Sequence, residues 1–227
     1  MLHISSLSHD IDKRQVLQRI DLRLEMGEIH GVVGPNGAGK STLFGLIAGE
    51  HHLQSGSIKW KGEAIGHLPM WKRVRLRLGY LPQRSLGFDS MSALENLKMI
   101  PNVQDERIFE TLEQLGLMGV HLQALGTLSG GERRRLDIGR LMLLDSQLWI
   151  LDEPFAALDW ESISWMQSFI ISAKEKGVGV LVTDHALAQM LPVLDHLSVL
   201  QEGRIVLSGS VDEVRRMPIF QQRYSGI

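Results

Sequence analysis

Apolar and polar positions change period along the chain, and the changes divide it into strand-like and helix-like stretches. Ile20-Asp-Leu-Arg-Leu-Glu-Met26 alternates, the period of a half-buried strand. Leu2–Leu7 reads as a short strand, and Ile29–Val33 as an apolar run after a Gly27-Glu28 turn. Ser57–Trp60 and Glu63–Ile65 flank Lys61-Gly62, while His196–Leu200 and Arg204–Leu207 flank Glu202-Gly203, so each pair predicts a hairpin. Leu148–Leu151 and Val178–Thr183 are further apolar strands. Between them the period lengthens. Ser92-Ala-Leu-Glu95 has capping-box spacing. Asp105 is placed to cap a helix with Ile108, Leu112 and Leu115 on one face and Gly116 as its stop. Asp159 is placed to cap another that carries Ile163, Met166, Ile170 and Ala173 in line and ends at Gly177. Thr42–Ala48 and Arg133–Leu144 also read as helical. Strands alternating with helices predict an α/β sheet. Residues 84–140 read as a mainly helical insertion within one domain spanning 1–227.

Composition narrows the class. At 227 residues, with 44% hydrophobic and 22% charged positions, the chain can build a core and is not dominated by disorder. A net charge of −2 gives no global basic field, so nucleic acid is not an expected partner. There is no Cys, which excludes disulfides and Cys-ligated metal and fits a reducing compartment. The longest stretch free of Asp, Glu, Lys and Arg, Gln114–Gly131, holds five Gly and several polar residues, so no spanning helix is expected. The N-terminus lacks a basic segment followed by an apolar one and does not read as a secretory signal.

Three segments carry chemistry. Gly34-Pro-Asn-Gly-Ala-Gly-Lys40-Ser41 fits G-x-x-x-x-G-K-[ST] between an apolar strand and a helical pattern. Phosphates need several converging backbone N–H groups, and Gly34, Gly37 and Gly39 keep side chains out of their way. Lys40 would reach the β- and γ-phosphates and Ser41 would ligate Mg²⁺. Leu148-Trp-Ile-Leu-Asp152-Glu153 sets two carboxylates at a strand's carboxyl end, where ligands of open α/β sheets bind. Asp152 would hold Mg²⁺ through its hydration shell, and Glu153 would orient the attacking water and accept its proton. Leu128-Ser129-Gly130-Gly131-Glu132 exposes backbone amides at a second helix start, either as a plain cap or as a second anion site. Arg133–Arg135 read as a solvated charged face.

Together these segments resemble the ATP-binding cassette (ABC) ATPases, the motor subunits of ABC transporters, over essentially the whole chain. Gly34–Thr42 matches the Walker A loop (Gly34, Pro35, Asn36, Gly37, Ala38, Gly39, Lys40, Ser41 and Thr42), and Leu81-Pro-Gln83 matches the Q-loop. Leu128–Glu132 matches the LSGGQ signature with Glu in last place, and Leu148–Pro154 matches Walker B. Ala156-Ala-Leu-Asp159 matches the D-loop and Thr183-Asp184-His185 the switch-histidine loop. The resemblance implies a P-loop NTPase core with an N-terminal antiparallel β region and an inserted helical subdomain. It implies ATP and Mg²⁺ as cofactors and a head-to-tail dimer. Ser129, Gly130, Gly131 and Asp159 would complete a partner's nucleotide site. Gln83 would sense Mg²⁺ and the water, and His185 would contact the γ-phosphate. The expected partners are a second cassette and a separate integral-membrane transporter subunit, at the cytoplasmic face of the inner membrane. A soluble cassette acting on a cytosolic partner, as in iron–sulfur assembly, is the alternative. Gly79–Gln83, Ser129–Arg135, Asp152–Ala156, Gly179–His185 and Phe220–Gly226 look like the lipopolysaccharide-export and branched-chain amino-acid ABC ATPases.

The chain departs from that family in three places. The aromatic that usually stacks on adenine is replaced by Ile11, with His9 nearby, and no Phe, Tyr or Trp precedes Phe44. Trp160 follows the D-loop Asp where Pro is frequent. Gly139 stands in the helix after the signature where Ala is usual, an expected cost of about 0.5–1 kcal/mol.

Overall fold

In the computed structural model, which describes residues 1–156 and 158–224, two sheets organise the chain. Strand β1 (Leu2–Ile11) runs antiparallel to β2 (Arg14–Leu24) through a turn at Asp12-Lys13. Both turn residues have positive φ, 48° and 66°, as a type I′ hairpin demands. This hairpin is longer than the sequence pattern predicts. Its turn carries no Gly, and register shifts between Ile4 and Asp10 break the alternation that marks a strand.

Strand β3 (Ile29–Val33) leads into helix α1 (Lys40–Ala48), then β4 (Ser55–Trp60) and β5 (Glu63–Ala64), joined by the expected Lys61-Gly62 turn. Helix α2 (Met70–Arg75) precedes β6 (Leu78–Leu81), a four-residue strand too short for a periodicity signal. Helices α3 (Ala93–Lys98), α4 (Asp105–Gln114) and α5 (Gly130–Leu143) follow, packed through Leu97, Ile108, Leu112, Leu115 and Leu136. The capping box at Ser92 and Glu95 forms as predicted. Asp105 does not cap α4. Gln104 occupies that position without a side-chain bond, and the Asp105 carboxylate pairs with Lys98 instead. The chain continues through β7 (Leu148–Asp152), α6 (Trp160–Glu175), β8 (Gly179–Thr183) and α7 (Leu187–Met190). It ends in β9 (His196–Gln201), β10 (Arg204–Ser210), α8 (Val211–Arg216) and α9 (Pro218–Arg223).

The first sheet has the order β2-β1-β4-β5, all antiparallel. The second has the order β10-β9-β3-β8-β7-β6, parallel except for the β9–β10 hairpin. β3, β7 and β8 are buried at every position, as strands covered on both faces must be. Val32, Ile150, Leu181 and Leu200 face the core shared with α1 and the first sheet. Val33, Leu151, Val182 and Val199 face α6 and the helical region. Arg73 of α2 is 1% exposed and donates to the carbonyls of Leu46, Ile47, Gly66 and Leu68, which satisfies the carboxyl end of α1. Among the described residues no helix is long and apolar enough to cross a membrane.

Candidate active site

The loops leaving the carboxyl ends of β3, β6, β7 and β8 meet at one end of the second sheet. There Lys40, Ser41, Thr42, Gln83, Glu153 and His185 line one cleft with Asn36, Gly37, Gly39 and Val16. The first loop is forced by backbone geometry. Gly39 has φ +104°, and a Cβ on Gly34 would lie 2.1 Å from the Leu200 carbonyl oxygen, so neither position accepts a side chain without rearrangement. Gly39 opens α1 without a side-chain cap, and no acidic residue stands in the first turn. The N-terminal amides of α1 thus meet no carboxylate from the helix's own first turn, an arrangement suited to an anion. Lys40 Nζ donates to the carbonyls of Gly34 (2.8 Å) and Pro35 (3.1 Å), and burial holds its pKa below the usual range.

Across the cleft Glu153 is held from both sides. Gln83 Nε2 donates to its Oε2 at 2.7 Å, and His185 Nε2 lies 2.7 Å from its Oε1. Glu153 itself sits at φ 52°, a left-handed conformation for a bulky residue, pinned by its N–H donating to the Thr183 carbonyl at 2.8 Å. Asp184 fixes the neighbouring turns by accepting from the Phe155 and Ala186 amides at 2.8 and 2.9 Å. Asp152 is 3% exposed, and burial raises its pKa although Ser41 hydrogen-bonds to it. Its Oδ1 is buried without a partner. A dry carboxylate with one orphaned oxygen beside a hydroxyl is a donor set that fits a hard divalent cation.

The other sequence-assigned residues do not reach this cleft within one chain. Ser129 and Gly130 are exposed at the start of α5, and the Ser129 N–H and hydroxyl both donate to Glu132 Oε2. Asp159 is exposed and caps α6 by accepting the Ser162 N–H at 2.8 Å. Ala157 of the D-loop segment lies outside the described residues, as do Ser225 and Gly226 of the C-terminal match. A second cleft adjoins the first, sharing Val16, Asn36 and Gly37 with it and lined further by Ile11, Arg14, Pro35 and Ala38. His9 is not part of it. Its buried ring faces His51, with centroids 6.0 Å apart.

Arg134 corrects the reading of Arg133–Arg135 as a solvated face. Arg133 does lie outward, bonded to Asp89 and Gly126, but Arg134 is 7% exposed. Its guanidinium donates to the carbonyls of Pro82 (2.8 Å), Asp152 (2.8 Å) and Glu153 (2.9 Å). Burial lowers its pKa. A run of three arginines gives no signal of which one turns inward. Arg14 and Val16 were missed for a related reason: their strand is not legible before Ile20.

A family model described as ABC transporter matches residues 17–156. The chain belongs to the ABC transporter family. It is 35% identical over 233 residues to the lipopolysaccharide export system ATP-binding protein LptB of Acidithiobacillus ferridurans, covering 100% of this chain and 97% of that protein. Its fold matches a nucleotide-free ATP-binding cassette from an ABC transporter with TM-score 0.91 and 24% identity, covering 100% and 99% of the two chains. It also matches the dimeric, post-hydrolysis cassette MJ0796 bound to ADP and Pi, with TM-score 0.82 and 20% identity over 93% and 99%. The protein is therefore an ABC transporter ATPase subunit that couples ATP hydrolysis to transport. The expected core, antiparallel sheet and helical subdomain are those of this ABC ATPase fold.

Proposed function

We propose that the Lys40 cleft is the hydrolytic half-site and that it works only when a second cassette closes over it. The observation that carries this reading is Glu153, bracketed by Gln83 and His185 while Lys40 faces it from the phosphate loop. Gly34–Thr42 would hold the triphosphate through backbone amides, with Lys40 on the β- and γ-phosphates. Ser41, Asp152 and Gln83 would hold Mg²⁺, which when bound neutralises charge on the phosphate oxygens. Glu153 orients the water and accepts its proton, and Gln83 and His185 keep its carboxylate aimed. Ser129, Gly130 and Asp159 are exposed, and with the half-buried Gly131 they would complete the site of a second copy of this chain in a head-to-tail dimer.

The transmembrane partner has its own docking place. An apolar groove beside the Q-loop is lined by Met70, Val74, Pro82, Leu86 and Leu144, with Leu86 60% exposed and Phe88 close by in sequence at 54%. A helix of an integral-membrane subunit would seat there, on the surface where α5 is tied to the Q-loop by Ser85 and Arg134. Residues 84–140 would then move as the helical unit that links membrane subunit to active site, at the cytoplasmic face of the membrane.

Two variants test the assignment. Lys40→Ala is expected to lose nucleotide binding. Glu153→Gln is expected to keep it, to slow hydrolysis by at least about 10²-fold, and to elute as an ATP-dependent dimer on gel filtration. Undiminished hydrolysis by Glu153→Gln overturns the role of Glu153. Full specific activity in a strictly monomeric sample overturns the shared site.

A further inference from the structure

The cleft next to the phosphate loop has a volume of about 820 Å³, enough for a nucleoside, yet it lacks an aromatic wall. Its lining includes Asp12, Glu202, several amides and apolar groups, and a single cation, Arg14. Arg14 opens β2 and pairs directly across the hairpin with Ile11, so the two side chains stand on one face of the sheet. Arg14 is exposed and, among the described residues, makes no ion pair and no side-chain hydrogen bond. Asp12, one turn residue away, does not engage it.

We infer that Arg14 is the base platform of the nucleotide site, its guanidinium plane stacking on the purine ring while Ile11 and Val16 cover the ring with apolar surface. This rests on the reading of Gly34–Thr42 as the triphosphate loop. The second cleft continues from that loop through Val16, Asn36 and Gly37, so a nucleotide with its phosphates at Lys40 would carry its base toward Arg14. Arg14 does not line the Lys40 cleft, which separates it from the phosphate-binding groups. A guanidinium is planar, weakly hydrated and suited to stacking on π-faces, so it supplies what Ile11 cannot. Any purine offers such a face, so the platform holds GTP within about tenfold of ATP.

The test compares wild type with Arg14→Ala, Arg14→Lys and Arg14→Tyr, using a non-hydrolysable ATP analogue with Mg²⁺ and, separately, inorganic tripolyphosphate as a competitor of a fluorescent ATP analogue. Arg14→Ala is expected to weaken analogue binding about fivefold to thirtyfold, the range of a cation–π contact that loses water, and to leave tripolyphosphate affinity unchanged. Arg14→Tyr should restore analogue affinity, whereas Arg14→Lys, which keeps the charge without the plane, should not. Equal weakening toward both probes places Arg14 on the phosphates and overturns the inference, as does unchanged binding in Arg14→Ala or full rescue by Arg14→Lys. Wild-type binding of the analogue by Lys40→Ala is a different failure: it removes the phosphate-loop reading itself.

Discussion

Replacing Arg134 with Met should damage both the stability of the protein and its turnover. The side chain bridges α5, the Q-loop and the end of β7 through three hydrogen bonds of 2.8, 2.8 and 2.9 Å from a charged donor to backbone carbonyls. Hydrogen bonds to a charged group are each worth about 1.5–3 kcal/mol, a gross contribution of roughly 4.5–9 kcal/mol. Keeping a guanidinium dry takes several kcal/mol back, so the net loss on Arg134→Met should be about 3 kcal/mol. In a chain of this size that lowers Tm by about 6–12 °C. One acceptor, the Pro82 carbonyl, adjoins Gln83, and the other two belong to Asp152 and Glu153, so the same loss loosens the bracket around the Glu153 carboxylate. A misplacement of about 1 Å costs about 10²-fold in kcat. Urea unfolding gives the stability, and steady-state hydrolysis at saturating ATP gives kcat. Arg134→Lys, which keeps the charge but not the forked geometry, should fall between Met and wild type in both. If Arg134→Met unfolds within about 0.5 kcal/mol of wild type, the spread of neutral surface changes, and hydrolyses ATP normally, Arg134 holds neither the fold nor the bracket around Glu153.

Gly139→Ala should not stabilise the protein, although helix propensity alone offers about 1 kcal/mol. The new Cβ would lie 2.7 Å from Leu115 Cδ1 and 3.4 Å from Thr111 Cγ2, and repacking of that kind costs about 1–3 kcal/mol. A thermal melt higher than wild type would contradict this. Asp152→Asn should abolish Mg²⁺-dependent hydrolysis and flatten part of the pH dependence of stability in the nucleotide-free protein. Burial raises the folded pKa of Asp152, so the folded state takes up its proton first. Wild-type stability from this group therefore rises as pH falls from its folded pKa to the unfolded value near ~3.9, with the full penalty above that window. A variant-minus-wild-type difference that is constant from pH 7 to pH 4 refutes it. Ser129→Arg should bind ATP normally yet lose hydrolysis, because the exposed start of α5 then presents bulk to the partner's γ-phosphate; normal turnover by this variant would exclude the signature from the site. Leu86→Glu should prevent co-purification with the membrane subunit while basal hydrolysis stays within about twofold, because a buried carboxylate is costly in an apolar groove; loss of both together would mean Leu86 holds the fold.

Local rules made much of this protein readable from its sequence. Glycine-rich spacing, an apolar strand ending in two carboxylates and capping-box patterns are determined by backbone chemistry within a few residues, so Gly34–Ser41, Asp152–Glu153, and the caps at Ser92 and Asp159 were visible there. The inward-facing residues of α6 were visible too, since a helix face depends only on a 3.6-residue period. Distance along the chain is what hid the rest. The β1–β2 hairpin turns without glycine and is bulged, so its alternation is lost locally, and Arg14 and Val16 went with it. The inward turn of Arg134 depends on Pro82 and Glu153, 52 and 19 positions away, and no pattern within α5 encodes it. Gly139 looks like a weak helix residue until the packing of Leu115 and Thr111 against it is known. The sequence by itself marked the glycine-rich loop and the paired carboxylates as the candidates for the chemistry. The tertiary structure decided which face each carboxylate, arginine and glycine presents, because burial and hydrogen-bond partners are supplied by segments that meet only when the sheet closes.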